Sequence, residues 1–351
     1  MADATAKKNL DNIFTSFIDN LGHVQEKLRD DDSSREMSGD FSLEELLTKM
    51  DAVLKSVSFD ATKVAIAFRD PPLPKPNECE QLLEGAQGRV LALVSLYYGV
   101  PKECGQSLRK ALNKICMKVV IGLQELLQRI KNDRYQSSQE QLNSTGTVWA
   151  ACEGWSAAPK TNKEAVLAEI QAEAGLVRDA LEEVEEAQSS DGEGMADFLE
   201  DLDAAVRGEE PDSSHSSRRN RTDKEKAVLV PLVGLTKACK NCLKKVRTAV
   251  KENGSMDTLE KVAQLDKIAE EVRRISSQLD ELVSGMYIPV NMSALQGNAI
   301  HLSDIMHQLL DRTQGSHVCT ESDLQWIEFL HKATNHNLEQ LKNITKQEGL
   351  R

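Results

Sequence analysis

Leu265, Ile268, Val272, Ile275, Leu279, Leu282 and Met286 recur at steps of three and four without a gap. Steps of that size return to one face of an α-helix, whereas a strand would scatter the same residues over both of its faces. The stripe is an a/d seam three heptads long. A seam of this kind must be covered by other helices, so it commits its part of the chain to a helical bundle. Similar stripes recur upstream. Leu10, Ile13, Phe14, Phe17, Ile18, Leu21 and Val24 share a face between about Ala4 and Arg29, and Leu108, Leu112, Ile115, Val119, Leu123, Leu126 and Ile130 share another.

Caps and prolines divide the stripes into helices. Ser42 with Glu45 reads as a capping box opening a helix that Pro71 ends, and Asn77 with Glu80 as the next cap. Between them RDPPLPKPNE, residues 69–78, holds four of the nine prolines. A PxxP core invites docking by an SH3-type groove, but Lys75 and Arg69 each miss the register for the accompanying cation by one residue. The strip is therefore read as a stiff corner. Further helices are expected over about 103–129, around Val148, Trp149 and Cys152, and from Asn162 to about Gln188. Thr222 with Glu225 opens a long helix to Asn253, Gly254 closes it, and the seam helix follows from Leu259 to about Met286. Pro289 precedes helices over about 291–312 and 321–345. The expected fold is all-α: a first bundle over 1–188, an acidic, Ser-rich and largely disordered linker over 189–222, and an antiparallel four-helix bundle over 223–351 that contains the helix–loop–helix-like pair 224–286.

Charge is concentrated rather than spread. Residues 179–212 hold fourteen Asp and Glu and one Arg, so this segment alone carries the −13 net charge of the chain, and outside it 42 acids meet 42 bases. Such a field repels nucleic-acid phosphates and attracts basic partners. Within it Met195, Phe198, Leu199 and Leu202 have helical spacing, and with Glu200, Asp201 and Asp203 they form a candidate partner-binding segment. No apolar run approaches the ~20 residues of a membrane span, no signal peptide is visible in the first 20 residues, and seven scattered cysteines fit reduced thiols.

Catalytic and metal-binding patterns do not assemble. His301 and His307, six apart, fall on different helical faces, and Cys239 and Cys242 form a CxxC with no second pair at zinc-finger spacing. Neither cofactor nor metal is expected, and the chain reads as a non-enzyme. RRNRTDKEK at 218–226 followed by helix, loop and seam tempts a basic helix–loop–helix reading. Pro231 interrupts the continuous helix that a DNA-reading basic region requires.

Five stretches carry a resemblance: PPLPKP, YYGVPKECGQSLRKAL at 97–112, VWAAC at 148–152, LTKACKNCLKKVRTAVKENG at 235–254 and VAQLDKIAEEVRRISSQLDELVSGMYIPV at 262–290. In this order and spacing they resemble the cyclin-D-binding protein family, also described as Grap/cyclin-D-interacting and Id-like helix–loop–helix proteins. The resemblance implies binding to D-type cyclin, damping of cyclin-dependent kinase action on the retinoblastoma protein, and antagonism of helix–loop–helix transcription factors. It also implies a signalling adaptor partner and residence in cytoplasm and nucleus, while the acidic field, Pro231 and the short apolar runs lead to an expectation of no direct contact with nucleic acid or membrane. Recognition could use the seam residues Leu265, Ile268, Val272, Ile275, Leu279 and Leu282, exchanged onto a partner, or the folded surface with the acidic segment. Opening a domain costs ~5–15 kcal/mol against the ~12 kcal/mol of a nanomolar complex, which favours the surface. A cytoskeletal or signalling scaffold bundle of the talin/vinculin kind is the alternative.

Overall fold

The computed structural model describes residues 2–30, 39–133, 139–189 and 221–346, all helical or connecting and without a strand among them. They form two compact units, Met1–Ala165 and Val166–Arg351.

In the first unit α1 (Ala2–Asp30), α2 (Leu43–Ala67), α3 (Pro76–Tyr98), α4 (Gln106–Asp133) and α5 (Gln139–Glu153) close a ring in which α1 meets α3 and α4, and α2 meets α3 and α5. Phe14 and Phe68 meet edge to face in its core, ring centroids 5.2 Å apart. The proline strip joins the end of α2 to the start of α3, the corner expected from sequence. Its cap lies two residues earlier than Asn77. Pro76 occupies the first helical position, which suits its fixed φ, and the Glu78 carboxylate accepts the Lys75 amide at 2.9 Å. At Gly105, φ is +104°, and a Cβ there would fall 2.0 Å from the side chain of Asn162. That buried Asn162 accepts the Leu108 amide at 2.9 Å and so caps the start of α4.

The second unit begins inside α6 (Asn162–Ser189). Sequence reading grouped this helix with the first bundle. Instead Val166, Ile170, Val177, Leu181 and Val184 are buried in the core of the second, because the apolar stripe of α6 meets the helices that follow it. Those are α7 (Asp223–Ala227), α8 (Leu229–Asn253), α9 (Leu259–Val272), α10 (Ile275–Ser284), α11 (Met292–Gln314) and α12 (Leu324–Lys346). The Thr222–Glu225 capping box is present, with Glu225 N donating to Thr222 Oγ1 at 3.3 Å and Thr222 N to Glu225 Oε2 at 2.7 Å. The long helix expected after it is interrupted at Val228. Pro231 has no N–H for the carbonyl four residues back, that of Ala227, and the first helix ends there. Residues 190–220, which hold most of the expected linker, lie outside the described residues.

Candidate partner interface

The seam is core. Leu265, Ile268, Val272, Ile275 and Leu279 are 0% exposed and Leu282 and Met286 1%. It is not one helix, however, but α9 and α10 meeting at Arg273 and Arg274. No proline sits there. The cause is a side chain from α6: the Glu173 carboxylate accepts the Ser276 amide at 3.2 Å, a donor that an unbroken helix would give to Val272. A carboxylate inserted into the backbone ladder is a recognised origin of a helix break. The freed arginines are then used. Arg273 pairs with Glu169 of α6 at 2.5 Å, and Arg274 with the buried Glu271 at 2.6 Å.

α6 is held to this body along its length by carboxylates. After Glu169 and Glu173 come Glu183, which accepts the Tyr287 hydroxyl, and Glu185, 2.7 Å from Lys237 Nζ. The pair α8 and α9–α10 is thus covered by α11 and α12 and closed by an acidic fifth helix. Cys239 and Cys242 share the buried face of α8. Burial pushes the Cys242 thiol up to about 12; Cys239 is raised well above its ordinary value by burial first, then by Cys242 and Glu173.

Of the residues singled out from sequence, Met195, Phe198, Leu199, Glu200, Asp201, Leu202 and Asp203 lie outside the described residues. Leu265, Ile268, Val272, Ile275, Leu279 and Leu282 are brought together, but inward. Sequence reading missed the outward features. Phe59 (62% exposed) and Ile66 (65%) stand on one face of α2, beside Trp149, whose indole N–H donates to Thr62 Oγ1 at 2.9 Å. His307 of α11 and His331 of α12 meet through their Nδ1 atoms, 2.6 Å apart, with ring centroids at 4.8 Å and planes 10° apart. The two distances differ by about one ring width, so the imidazoles lie edge to edge in a shared plane rather than face to face. Asn335 faces Nε2 of His307 and Asp311 faces Nε2 of His331. Spacing along one helix gave no sign of this pair, since its members come from two.

Residues 49–190 match the family described as Grap2 and cyclin-D-interacting, N-terminal, and residues 199–311 its C-terminal counterpart. A Xenopus laevis protein, cyclin-D1-binding protein 1 homolog, is 38% identical over 94% of this chain and 98% of its own length. The chain belongs to the cyclin-D1-binding protein 1 family. A Danio rerio homolog is 36% identical over 93% of both chains, and the human cyclin-D1-binding protein 1 is 29% identical over 99% of both. The family's N-terminal region ends at residue 190 and so includes α6, although α6 packs with the second unit. The resemblance motif at 97–112 has a structural role: buried Arg109 donates to the Val100 carbonyl, and the Tyr97 hydroxyl accepts at 3.2 Å from Asn113, one residue past the motif, which also donates to the Leu28 carbonyl at 2.9 Å. These bonds tie α1, α3 and α4 together. In the basic patch, Arg221 donates to the Met286 carbonyl at 2.7 Å.

Proposed function

We propose that this chain is a non-enzymatic interaction protein that binds D-type cyclin and thereby restrains cyclin-dependent kinase action on the retinoblastoma protein and progress through the cell cycle. Its membership of a family whose relatives are named for cyclin D1 binding supports the cyclin partner. Helix–loop–helix transcription factors and a signalling adaptor are further proposed partners, met in cytoplasm and nucleus. Recognition runs over the folded surface, and through the acidic segment containing Met195, Phe198, Leu199 and Leu202, without opening the second unit. The observation that carries this choice is the complete burial of Leu265, Ile268, Val272, Ile275 and Leu279 beneath helices that include α6. Exchanging that seam onto a partner would first expose the core of a whole unit, at ~5–15 kcal/mol.

The test is titration calorimetry of purified D-type cyclin into the full-length protein and into a deletion of residues 189–222. Saturable binding lost on deletion assigns recognition to the acidic segment, and binding retained assigns it to the helical faces. Absence of binding to the full-length protein refutes the cyclin reading.

A further inference from the structure

α8 carries six cations and a single acid, Glu252, in a chain whose net charge is −13. Its apolar side is buried against the core of the second unit. On the opposite side Lys240, Lys244, Arg247 and Lys251 follow at i, i+4, i+7 and i+11, the spacing that returns to one helical face, and all four are exposed. The stripe spans about 16 Å at ~1.5 Å per residue. None of the four takes a carboxylate among the described residues. Cations at this spacing repel one another along the helix, so the face is better suited to being covered by opposite charge than to standing alone.

Lys237, one turn before the stripe, already has such a partner in Glu185 of α6. The second unit therefore seats one acidic helix, and does so by meeting its carboxylates with a cation, a backbone amide and a hydroxyl in turn. We infer that Lys240, Lys244, Arg247 and Lys251 form a docking stripe for an acidic helical segment of a partner protein, presenting three or four carboxylates at successive turns. The length and charge of the stripe choose this occupant over a longer polyanion. Four cations on one helix match about three turns of an acidic segment. A bilayer or a duplex extending beyond them meets the repulsion of an acidic chain. The inference concerns residues of opposite charge to the acidic segment proposed above, and does not depend on the cyclin reading.

The test uses the full-length protein and a fluorescein-labelled peptide of about three helical turns with Glu at successive turns, followed by anisotropy at ~50 mM salt. Saturable binding is expected, weakening severalfold as salt rises to ~200 mM, since the contacts are exposed. The double reversals Lys240→Glu/Lys244→Glu and Arg247→Glu/Lys251→Glu should each weaken it by about tenfold or more, with circular-dichroism melting unchanged because the sites are exposed. The inference is overturned by no binding, or by binding indifferent to both reversals. It is also overturned if duplex DNA or phosphatidylserine vesicles engage the stripe and the peptide does not. Carboxyl-to-amine cross-links from Lys240, Lys244 or Lys251 to residues 191–212 in the protein alone would overturn it too, by making this chain, or a second copy of it, the occupant.

Discussion

Ile170→Ala tests whether α6 belongs to the second unit. Ile170 is 0% exposed, in one core with Cys239, Val272 and Ile275. The substitution removes three buried carbons, about 2.4 kcal/mol at ~0.8 kcal/mol per carbon. The cavity left behind raises the loss to about 3–4 kcal/mol, within the range for such truncations. Each ~1.4 kcal/mol is a factor of ten in an equilibrium constant, so slowly exchanging amides of the second unit should exchange on the order of a hundredfold faster or more. Hydrogen exchange read by mass spectrometry resolves where the loss falls. Peptides from α8, α9, α10 and α11 should lose protection, while those from α2, α3 and α4 keep theirs. Loss of protection in α2 to α4, with α8 to α11 unchanged, would refute the assignment of α6 and restore a first bundle ending near 188.

Three further outcomes are expected. Gly105→Ala should destabilise the first unit by about 2–4 kcal/mol, from the glycine-only backbone conformation and the displaced Asn162 cap, whereas Asn162→Ala should cost only about 1–2 kcal/mol; equal melting of the two variants in calorimetry would contradict this. His331 has its pKa lowered by burial, then by His307, against an opposing effect of Asp311. The folded protein therefore binds fewer protons here than the unfolded chain, and this contribution to stability is full above about pH 6.5 and declines as pH falls through that value; His331→Gln should flatten the decline in the melting temperature, and an unaltered slope would count against it. The third outcome concerns the thiols. Burial pushes Cys116 and Cys242 up to about 12, and thiolate is the reactive form. In the native protein at about pH 8, iodoacetamide should label the half-buried Cys104 and Cys319 long before those two, as peptide mass mapping would show.

What the sequence disclosed, and what it withheld, divides along the range of the forces involved. The burial of the seam from Leu265 to Met286, the Ser42 cap on the Glu45 amide and the capping box at Thr222 depend on residues within a turn or two, and these stand as read. The Asn77 cap was displaced because Pro76 takes the first helical position, a local rule that was outranked by a neighbouring one. Pro231 was read as a bar to DNA binding, and it also divides α7 from α8. The allegiance of α6 and the break at Arg273 were out of reach for a different reason. A stripe such as Val166, Ile170, Val177, Leu181 and Val184 announces that a face is buried and says nothing of which unit buries it. The break needs Glu173, about a hundred residues away, and an unbroken run of apolar spacing gives no hint of it. The stripe on α8 was in view throughout as the polar face of LTKACKNCLKKVRTAVK, and acquires meaning only once the acids around it are placed.

The join between α6 and the second unit also bears on how the protein can be cut. A fragment beginning near residue 223 follows the most obvious seam in the sequence, yet it carries the second unit without its fifth helix. Arg273 would lose Glu169, the Ser276 amide would lose its acceptor, and the apolar face beneath Ile170 and Val177 would be laid open to whatever is in solution. Partners captured by such a fragment would report on a surface that the intact molecule keeps covered. A truncation starting at Asn162 retains α6, and so keeps the face beneath Ile170 and Val177 covered.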